Sequence, residues 1–147
     1  MAPEILENWK VGAGKISAEE GSIYESSADV YATTVVLWEC LTAQQPFVDA
    51  RDSATGRKLL GVFLGDAIVA GLRPSTSAIP NGGSGVVSQR MQSLVECGWH
   101  QDPAARPSAP QISAVIQEEI ENYHVLDQVV AMGQDSGESS TQVVVQI

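Results

Sequence analysis

The chain has 147 residues, of which 44% are hydrophobic and 18% charged, and this is the composition of one globular domain. Its formal net charge of -10 at pH 7 makes nucleic acid and anionic lipid unfavourable partners, because both are negative themselves. No stretch approaches the roughly 18 uninterrupted apolar residues that a membrane span needs. From the charge and the lack of such a stretch, we expect no nucleic-acid binding and no membrane contact from this segment.

Two cysteines, Cys40 and Cys97, lie far apart in apolar stretches, and neither has the spacing of a zinc ligand pair. We expect both to be buried free thiols, which suits a reducing compartment. The N-terminus has no basic segment followed by an apolar run, as a secretory signal would have. The segment is therefore predicted to be cytoplasmic.

The first half of the chain predicts one short and one long helix. Residues 1–25 begin with a helical turn at Pro3 and continue as a glycine-containing loop with an acidic stretch. Ser26 or Ser27 can cap a helix that runs to about Ala43. Asp29 lies in its first turn, where a carboxylate interacts favourably with the free N–H groups and the positive end of the helix dipole. Apolar residues cover most of the circumference of this helix, which predicts that it is buried.

Three more helices are predicted downstream, around residues 56–71, near residues 86–98, and from Pro110 to about Val125 or further. Gly71 is a plausible cap of the first of these, and Pro103 and Pro107 interrupt the chain before the last. The last helix has an apolar stripe and a polar side: the stripe is Ile112, Val115, Ile116 and Ile120, and Glu118, Glu119 and Glu121 lie off it. We assign residues 1–128 to the folded body and residues 129–147 to a mostly disordered tail.

Familiar ligand motifs are incomplete in this chain. Gly14-Lys15 lacks the remaining residues of a phosphate-binding loop, and the glycines at 82, 83 and 85 precede no lysine. His100 and His124 have no spaced set of partner ligands. We therefore predict no catalytic, cofactor-binding or metal-binding residue in the chain.

Three blocks of motif residues occur in order along the chain. The first is Met1-Ala2-Pro3-Glu4, similar to the motif that closes a kinase activation segment. The second runs from Ala28-Asp29-Val30-Tyr31 to Trp38-Glu39 and Pro46-Phe47, similar to the central helix of that lobe. The third begins at Gly71-Leu72-Arg73-Pro74 and includes Leu94, Cys97, Trp99, Asp102-Pro103 and Arg106-Pro107-Ser108. Together the three blocks resemble the large helical lobe of a eukaryotic protein kinase domain, with most similarity to the tyrosine-kinase-like and tyrosine kinase groups.

The resemblance covers about residues 1–122 and implies an all-α partial C-lobe, with about four main helices around a buried central helix. It also implies a buried ion pair between Glu4 and Arg106. Asp29 matches an aspartate that, in the family, caps the central helix and hydrogen-bonds to the backbone of the catalytic loop. Because this chain lacks the catalytic loop, Asp29 would only cap the helix here. Trp38 and Trp99 are expected to be structural.

Two departures affect the packing and the surface of this lobe. Ala32-Thr33-Thr34 replaces the Ser-Phe-Gly of the family, so a large aromatic residue and a close-packing glycine are both absent from the central helix. The stretch from Arg57 to Gly65 is unlike a typical family sequence and leaves any docking specificity of that helix undefined.

Phosphoryl transfer needs a glycine-rich loop, a strand lysine, a catalytic aspartate and a metal-binding aspartate, and none of these motifs occurs in the chain. We therefore expect the chain to be inactive alone and to need no cofactor, whereas a full-length parent would use ATP and Mg. In the family these motifs lie upstream of the Ala-Pro-Glu motif. A gene sequence opened at an internal methionine is one hypothesis for Met1.

Two further interpretations stay open. The chain could be a genuine short protein that acts as a non-catalytic interaction module and binds protein partners through exposed helices, or an unrelated helical scaffold. A parent kinase could modify Ser/Thr or Tyr, and it could be a membrane-anchored receptor with this lobe inside the cell. Without the other half of the kinase domain as its partner, the central helix would be partly uncovered, which predicts a marginally stable, association-prone chain.

Overall fold

The computed structural model describes residues 1–11, 26–80 and 87–135. Within these ranges the chain is helical, and its one β-bridge, between Arg51 and Lys58, is isolated. The predicted all-α class is therefore confirmed. The helices are α1 (Pro3–Val11), α2 (Ser26–Thr42), α3 (Gly61–Val69), α4 (Gln89–Gly98) and α5 (Ala109–Asp135), with 3₁₀ turns at Thr76–Ala78 and Pro103–Ala105. The loop predicted after α1, the glycines at 82, 83 and 85, and the last twelve residues of the predicted tail lie outside the described residues.

Helix α2 lies at the centre of the described residues and separates two apolar clusters. One cluster surrounds Tyr31 and Trp38 on α2, and its other buried members are Ala2, Ile68, Ile79, Val95 and Trp99. The second joins Val30 of α2 to Met91, Leu94 and Ile112. Helices α1 and α3 pack together, α4 packs on α2, and α5 packs on α4. The central helix thus connects all the packed layers.

The side of α2 away from these clusters is open to solvent. Val36 is 56% exposed, and Cys40 on the same helix is exposed as well. Cys97 on α4 is also exposed, so the prediction of buried thiols is wrong for both cysteines, although both are free. The physical reason for Cys40 is that α2 is apolar on nearly every side, and only some of those sides have a neighbour among the described residues.

Helix α3 is shorter than the predicted range of 56–71. Gly56 and Gly61 have positive φ angles of 67° and 53°, a backbone conformation that interrupts a right-handed helix. Before Gly56, the Asp52 carboxylate accepts hydrogen bonds from the N–H and hydroxyl of Thr55 at 2.7 and 2.6 Å, which fixes a turn instead of a helix. Gly71, with φ of 102°, follows the end of α3 as predicted.

Ser88 connects the start of α4 to α5. Its Oγ accepts a hydrogen bond from the Met91 N–H at 3.1 Å, and its hydroxyl donates to Glu119 Oε1 at 2.6 Å. Glu119 is therefore buried, although the sequence pattern placed it on the polar side of its helix. The cap of α4 supplies the hydrogen bond that a buried carboxylate needs.

Helix α5 extends past Val125, as the sequence predicts it can. It continues about ten residues further and ends at Asp135, so residues 129–135 continue the helix. The residues from 136 onward lie outside the described part of the chain.

Helices α2 and α4 lie close together at Thr34 and Gly98, both of which are buried. The Thr34 hydroxyl donates to the Val30 carbonyl oxygen at 2.8 Å. A Cβ atom placed on Gly98 would lie 3.0 Å from Thr34 Cγ2 and 3.1 Å from its Cβ, and closer still to Oγ1. Gly98 on α4 thus provides the close approach between the two helices.

Candidate functional site

The strongest polar constellation in the described structure joins α1 to the turn that precedes α5. Arg106 Nη1 donates to Glu4 Oε1 at 2.7 Å, and Nη2 donates to Oε2 at 2.9 Å. The arginine side chain is 1% exposed and the glutamate side chain 24%. This is a two-point ion pair largely shielded from solvent, the geometry in which guanidinium and carboxylate interact most strongly.

Arg106 also hydrogen-bonds the backbone on two sides. Nη1 donates to the Ser27 carbonyl oxygen at the start of α2 at 2.8 Å, and Nε donates to the His100 carbonyl oxygen at 2.9 Å. A single guanidinium therefore fixes α1, the first turn of α2 and the loop after α4 relative to one another. We call the group of Glu4, Tyr31, Arg73 and Arg106 the arginine junction.

Tyr31 lies close to both arginines of this junction. The guanidinium carbons of Arg73 and Arg106 are 5.1 and 5.2 Å from the centre of its ring, within the range of a cation–π contact. Arg73 Nε donates to the Trp99 carbonyl oxygen at 2.8 Å and Nη2 to Gln101 Oε1 at 2.7 Å. The ring thus stacks with two charges that are held by other contacts.

Burial and charge act in opposite directions on the titrating groups of the junction. Burial raises the pKa of the Glu4 carboxyl, but the hydrogen bonds and positive charge of Arg106 outweigh it, so that this pKa lies below its ordinary value of 4.5. Burial raises the pKa of the Tyr31 phenol above its ordinary value, although both arginines oppose the shift. At neutral pH the junction therefore holds an ionised carboxylate and a neutral phenol.

The Tyr31 hydroxyl is buried and has no hydrogen-bond partner among the described residues. Because an unpaired buried hydroxyl loses its water without compensation, we expect Tyr31→Phe to raise the free energy of unfolding by about 1 kcal/mol. The gain should increase above pH 10, since a group whose folded pKa is raised loses stability as the pH rises through that pKa.

Urea unfolding followed by circular dichroism, at pH 7 and at pH 10.5, measures both effects. Tyr31→Leu is the matched variant, because it removes the ring that both arginines stack on, and it should be clearly destabilising. A loss of stability in Tyr31→Phe would show that the hydroxyl has a partner.

The other three residues singled out from the sequence have simpler surroundings. Trp38 is 3% exposed and its indole N–H donates to the Ser75 carbonyl oxygen at 3.0 Å. Trp99 is 5% exposed and lies in the same cluster. Asp29 is exposed in the first turn of α2 and hydrogen-bonds no residue of the described ranges through its side chain. Of the residues singled out from the sequence, the structure joins Glu4 and Arg106 by direct hydrogen bonds.

Sequence reasoning missed the roles of Tyr31 and Arg73. Both belong to the motif blocks. Helical periodicity, however, does not show that the Tyr31 ring contacts two arginines or that Arg73 is partly buried. A signal was available for Arg73, which lies between Leu72 and the buried Pro74, since a cation in an apolar setting requires partners.

Within residues 1–11, 26–80 and 87–135, no group of three or more His, Cys, Asp or Glu side chains could hold a metal ion. The helices of the same ranges include none that is both long and apolar enough to cross a membrane.

The all-α arrangement around α2 and the arginine junction define a helical domain similar to the C-terminal part of protein kinase domains. Comparisons with known proteins support this class. The chain is 24% identical over 123 residues to receptor-interacting serine/threonine-protein kinase 4 of Mus musculus. It is 29% identical over 120 residues to serine/threonine-protein kinase STY17 of Arabidopsis thaliana, and 31% identical over 91 residues to scaffold protein ILK of Homo sapiens.

These alignments cover 84%, 80% and 62% of this chain, respectively, but only 14%, 16% and 17% of the relatives. The chain thus spans a small part of the length of each relative. No protein-family model matches the chain.

Proposed function

We propose that the chain is the helical C-lobe part of a protein kinase domain, and that it does not transfer a phosphoryl group by itself. The observation that carries this proposal is the arginine junction. It ties the segment that resembles Ala-Pro-Glu to the segment that resembles Asp-Pro-x-x-Arg-Pro through the two-point contact of Glu4 and Arg106. A lobe of this kind supports a catalytic centre that other parts of a kinase domain supply.

In the full-length protein, the proposed reaction is ATP- and Mg-dependent phosphoryl transfer to a protein. The names of two relatives, both serine/threonine-protein kinases, favour Ser/Thr over Tyr as the acceptor. The proposed location of this lobe is the cytoplasm, where ATP is available.

A radiolabelled-ATP assay tests the first part of the proposal. The purified 147-residue chain, with Mg and a general protein substrate, should transfer no more label than a blank without protein. Label transfer by the chain alone, at a rate that scales with its concentration, would overturn the proposal.

An immunoblot of cells from the source organism tests the second part, with an antibody raised against residues 133–147. A product of kinase-domain size or larger, whose immunoprecipitate phosphorylates a protein substrate, is the expected result. A product near 15.6 kDa would instead favour a different class of function.

That alternative is a non-catalytic interaction module, and two observations favour it. One relative is named as a scaffold protein. Leu60, Val62 and Phe63, at the start of α3, are 63%, 70% and 73% exposed, and large apolar side chains exposed together are typical of a protein-binding surface. A native 15.6 kDa product without ATP-dependent activity would make this the leading function.

A further inference from the structure

Large apolar side chains lie exposed next to one another where the chain enters α3. Leu60, just before the helix, is 63% exposed, and Val62 and Phe63 in its first turn are 70% and 73% exposed. The helix packs on α1 and contributes the buried Ile68 to the cluster around Tyr31. The three exposed side chains remain largely uncovered by the described residues, and a contiguous exposed apolar group is typical of a binding surface.

Two exposed cations, Arg57 and Lys58, precede these apolar residues in the chain. Lys58 pairs with Arg51 in the isolated β-bridge, and Leu60 has an extended backbone with φ of -138° and ψ of 153°. Side chains alternate along an extended segment, so Lys58 and Leu60 lie on one side and the partly buried Leu59 on the other. We call the group of Arg57, Lys58, Leu60, Val62 and Phe63 the basic-apolar surface.

Hydrogen bonds hold the cationic segment against the turn that precedes it. The Asp52 N–H donates to the Arg57 carbonyl oxygen at 2.8 Å, and the Leu59 N–H donates to the Ala50 carbonyl oxygen at 2.9 Å. The Asp52 carboxylate is bonded in turn by the N–H and hydroxyl of Thr55. The backbone of this segment is thus fixed before a partner binds, which lowers the entropy that binding costs.

The basic-apolar surface is positive, although the whole chain has a formal net charge of -10. Arg57 and Lys58 form no ion pair with another described residue, whereas Arg90 and Arg106 do. Asp52 is the only carboxylate between residues 51 and 63. Carboxylates of a partner would therefore meet two unpaired cations beside an apolar area, and such complementarity favours binding in one orientation.

We propose that the basic-apolar surface binds an acidic segment of a protein partner that also carries large apolar side chains. The apolar side chains would cover Leu60, Val62 and Phe63, and aspartate or glutamate residues beside them would pair with Arg57 and Lys58. No residue of this surface lies on α2, so the open side of the central helix stays available to the other half of a kinase domain. The interaction goes beyond the proposed function, because it requires no phosphoryl transfer by the chain or by a parent.

Fluorescence anisotropy with three labelled peptides tests the proposal on the full 147-residue chain, at about 0.15 M salt, where charges more than about 8 Å apart are screened. The first peptide combines leucine and phenylalanine with glutamate. The second replaces each glutamate with lysine, and the third replaces each apolar residue with serine. We expect the first to bind at least about tenfold more tightly than either of the others, a difference of about 1.4 kcal/mol.

The preference for glutamate over lysine is diagnostic because the net charge of the chain acts in the opposite direction. A chain with a net charge of -10 attracts a lysine peptide to most of its surface. Tighter binding of the glutamate peptide therefore requires a local positive surface. Equal or tighter binding of the lysine peptide would overturn the proposal.

Val62→Asp tests the apolar part of the surface. It should weaken binding of the glutamate peptide by about tenfold or more, because it puts a charge into an apolar contact and repels the peptide. The helix should tolerate the change, since a carboxylate in the first turn interacts favourably with the helix dipole. Val125→Asp is the matched control, because Val125 on α5 is also an exposed valine, at 59%, and it should leave binding unchanged.

Arg57→Gln combined with Lys58→Gln tests the charges. This double variant should weaken binding of the glutamate peptide several-fold and reduce its salt dependence. Arg90→Gln is the control, since it removes an exposed cation that already pairs with Glu118 on α5, and it should leave binding unchanged. Circular dichroism shows whether each variant keeps its helical content. Because both glutamines precede α3, the double variant remains a valid test if Val62→Asp loses helical content.

The proposal fails if the glutamate peptide binds the double variant as tightly as the unsubstituted chain, or if either control weakens binding as much as its test variant does. Sedimentation velocity examines a second copy of the chain as the occupant. A dimer that Val62→Asp abolishes would assign the surface to self-association and overturn the proposal. Failure of the peptide to bind leaves the proposed lack of phosphoryl transfer intact, because the radiolabelled-ATP assay measures a different property.

Discussion

Glu4→Ala should lower the free energy of unfolding by about 3–5 kcal/mol, a large fraction of the roughly 5–15 kcal/mol of a typical domain. The substitution removes the counter-charge of a guanidinium that is 1% exposed. Arg106 cannot move into water without giving up its bonds to the Ser27 and His100 carbonyl oxygens. The loss therefore comes from a stranded buried cation as much as from the contacts of the glutamate itself.

Urea unfolding followed by circular dichroism at pH 7 measures this loss, and the chain has its own control in a second ion pair. Arg90 and Glu118 also form a salt bridge, but their side chains are 57% and 48% exposed. Glu118→Gln should therefore cost no more than about 1 kcal/mol. Similar small losses for Glu4→Ala and Glu118→Gln would contradict the central role of the junction.

The pH dependence of stability gives a second measurement on the same pair. The folded pKa of Glu4 is lowered below 4.5, so its contribution is present above pH 4.5 and is lost as the pH falls through the folded pKa. Glu4→Gln cannot lose a charge in that range. The free energy of unfolding of the unsubstituted chain should thus decline more steeply below pH 4.5 than that of Glu4→Gln. If the two free energies fall in parallel with pH, the pKa of Glu4 is not lowered.

Exchange of the arginine for lysine separates charge from geometry. Arg106→Lys keeps a positive charge but cannot reach both Glu4 oxygens and the Ser27 carbonyl oxygen with one planar group. Arg106→Lys should lower the free energy of unfolding by most of the amount that Glu4→Ala does. Full retention of stability in Arg106→Lys would mean that charge alone, and not the two-point contact, holds α1 in place.

A helix end can be predicted from the sequence where the residues next to it determine it. The bounds of α2 follow from serines at its start and a proline after its end, and the structure ends this helix within one residue of the predicted position. The start of α3 is five residues later than predicted. There the apolar pattern suggested a long helix, but two glycines with positive φ and the Asp52 turn determine the backbone.

Burial was less predictable than helix position, and the two cysteines show why. Helix α2 is apolar on nearly every side, so its pattern contains no information on which side a neighbour covers, and Cys40 lies on an exposed side. Glu119 is the opposite case. Its charge predicts exposure, yet the hydroxyl of Ser88, 31 residues earlier, provides the hydrogen bond that allows burial. Such a pairing depends on the packing of two helices.

The structure has a groove of about 420 Å³ lined by residues of α2 and α5, and this groove could not be predicted from either helix alone. The apolar stripe of α5 is evident in the sequence, but Ile112 and Ile120 serve different purposes on it, since one is buried against α4 and α2 and the other is half exposed. The opposing position of Asp29 arises only when the two helices are placed side by side.

Gly98→Ala should also be strongly destabilising, at the upper end of the roughly 1–3 kcal/mol that overpacking costs. The new methyl group would overlap the Thr34 side chain, which lies 3.0 Å away at Cγ2 and nearer at Oγ1. Thr34 cannot turn aside without losing its hydrogen bond to the Val30 carbonyl oxygen. Relief of the overlap therefore requires α2 and α4 to separate, which loosens the packing of the buried residues between them, including Val95.

Gly65→Ala is the matched control for this substitution, because Gly65 is also a helical glycine with a buried position. A Cβ atom there would lie 3.6 Å from Leu6 Cδ2, an ordinary packing distance. Alanine should thus stabilise α3 by about 0.5–1 kcal/mol. Opposite signs for the two glycine substitutions, measured by urea unfolding, would show that space and not helix propensity decides the effect at Gly98.

Combination of Gly98→Ala with Thr34→Gly tests whether the two positions compensate each other. Thr34→Gly alone should cost about 0.3 kcal/mol through lost helix propensity, in addition to the loss of its buried side-chain contacts, but it removes all three atoms that the alanine would meet. The double variant should therefore be more stable than the sum of the single losses predicts, with a coupling of about 0.5–3 kcal/mol. If the losses simply add, the crossing of α2 and α4 does not require a glycine from one helix or the other, and the compensation inferred from the structure is wrong.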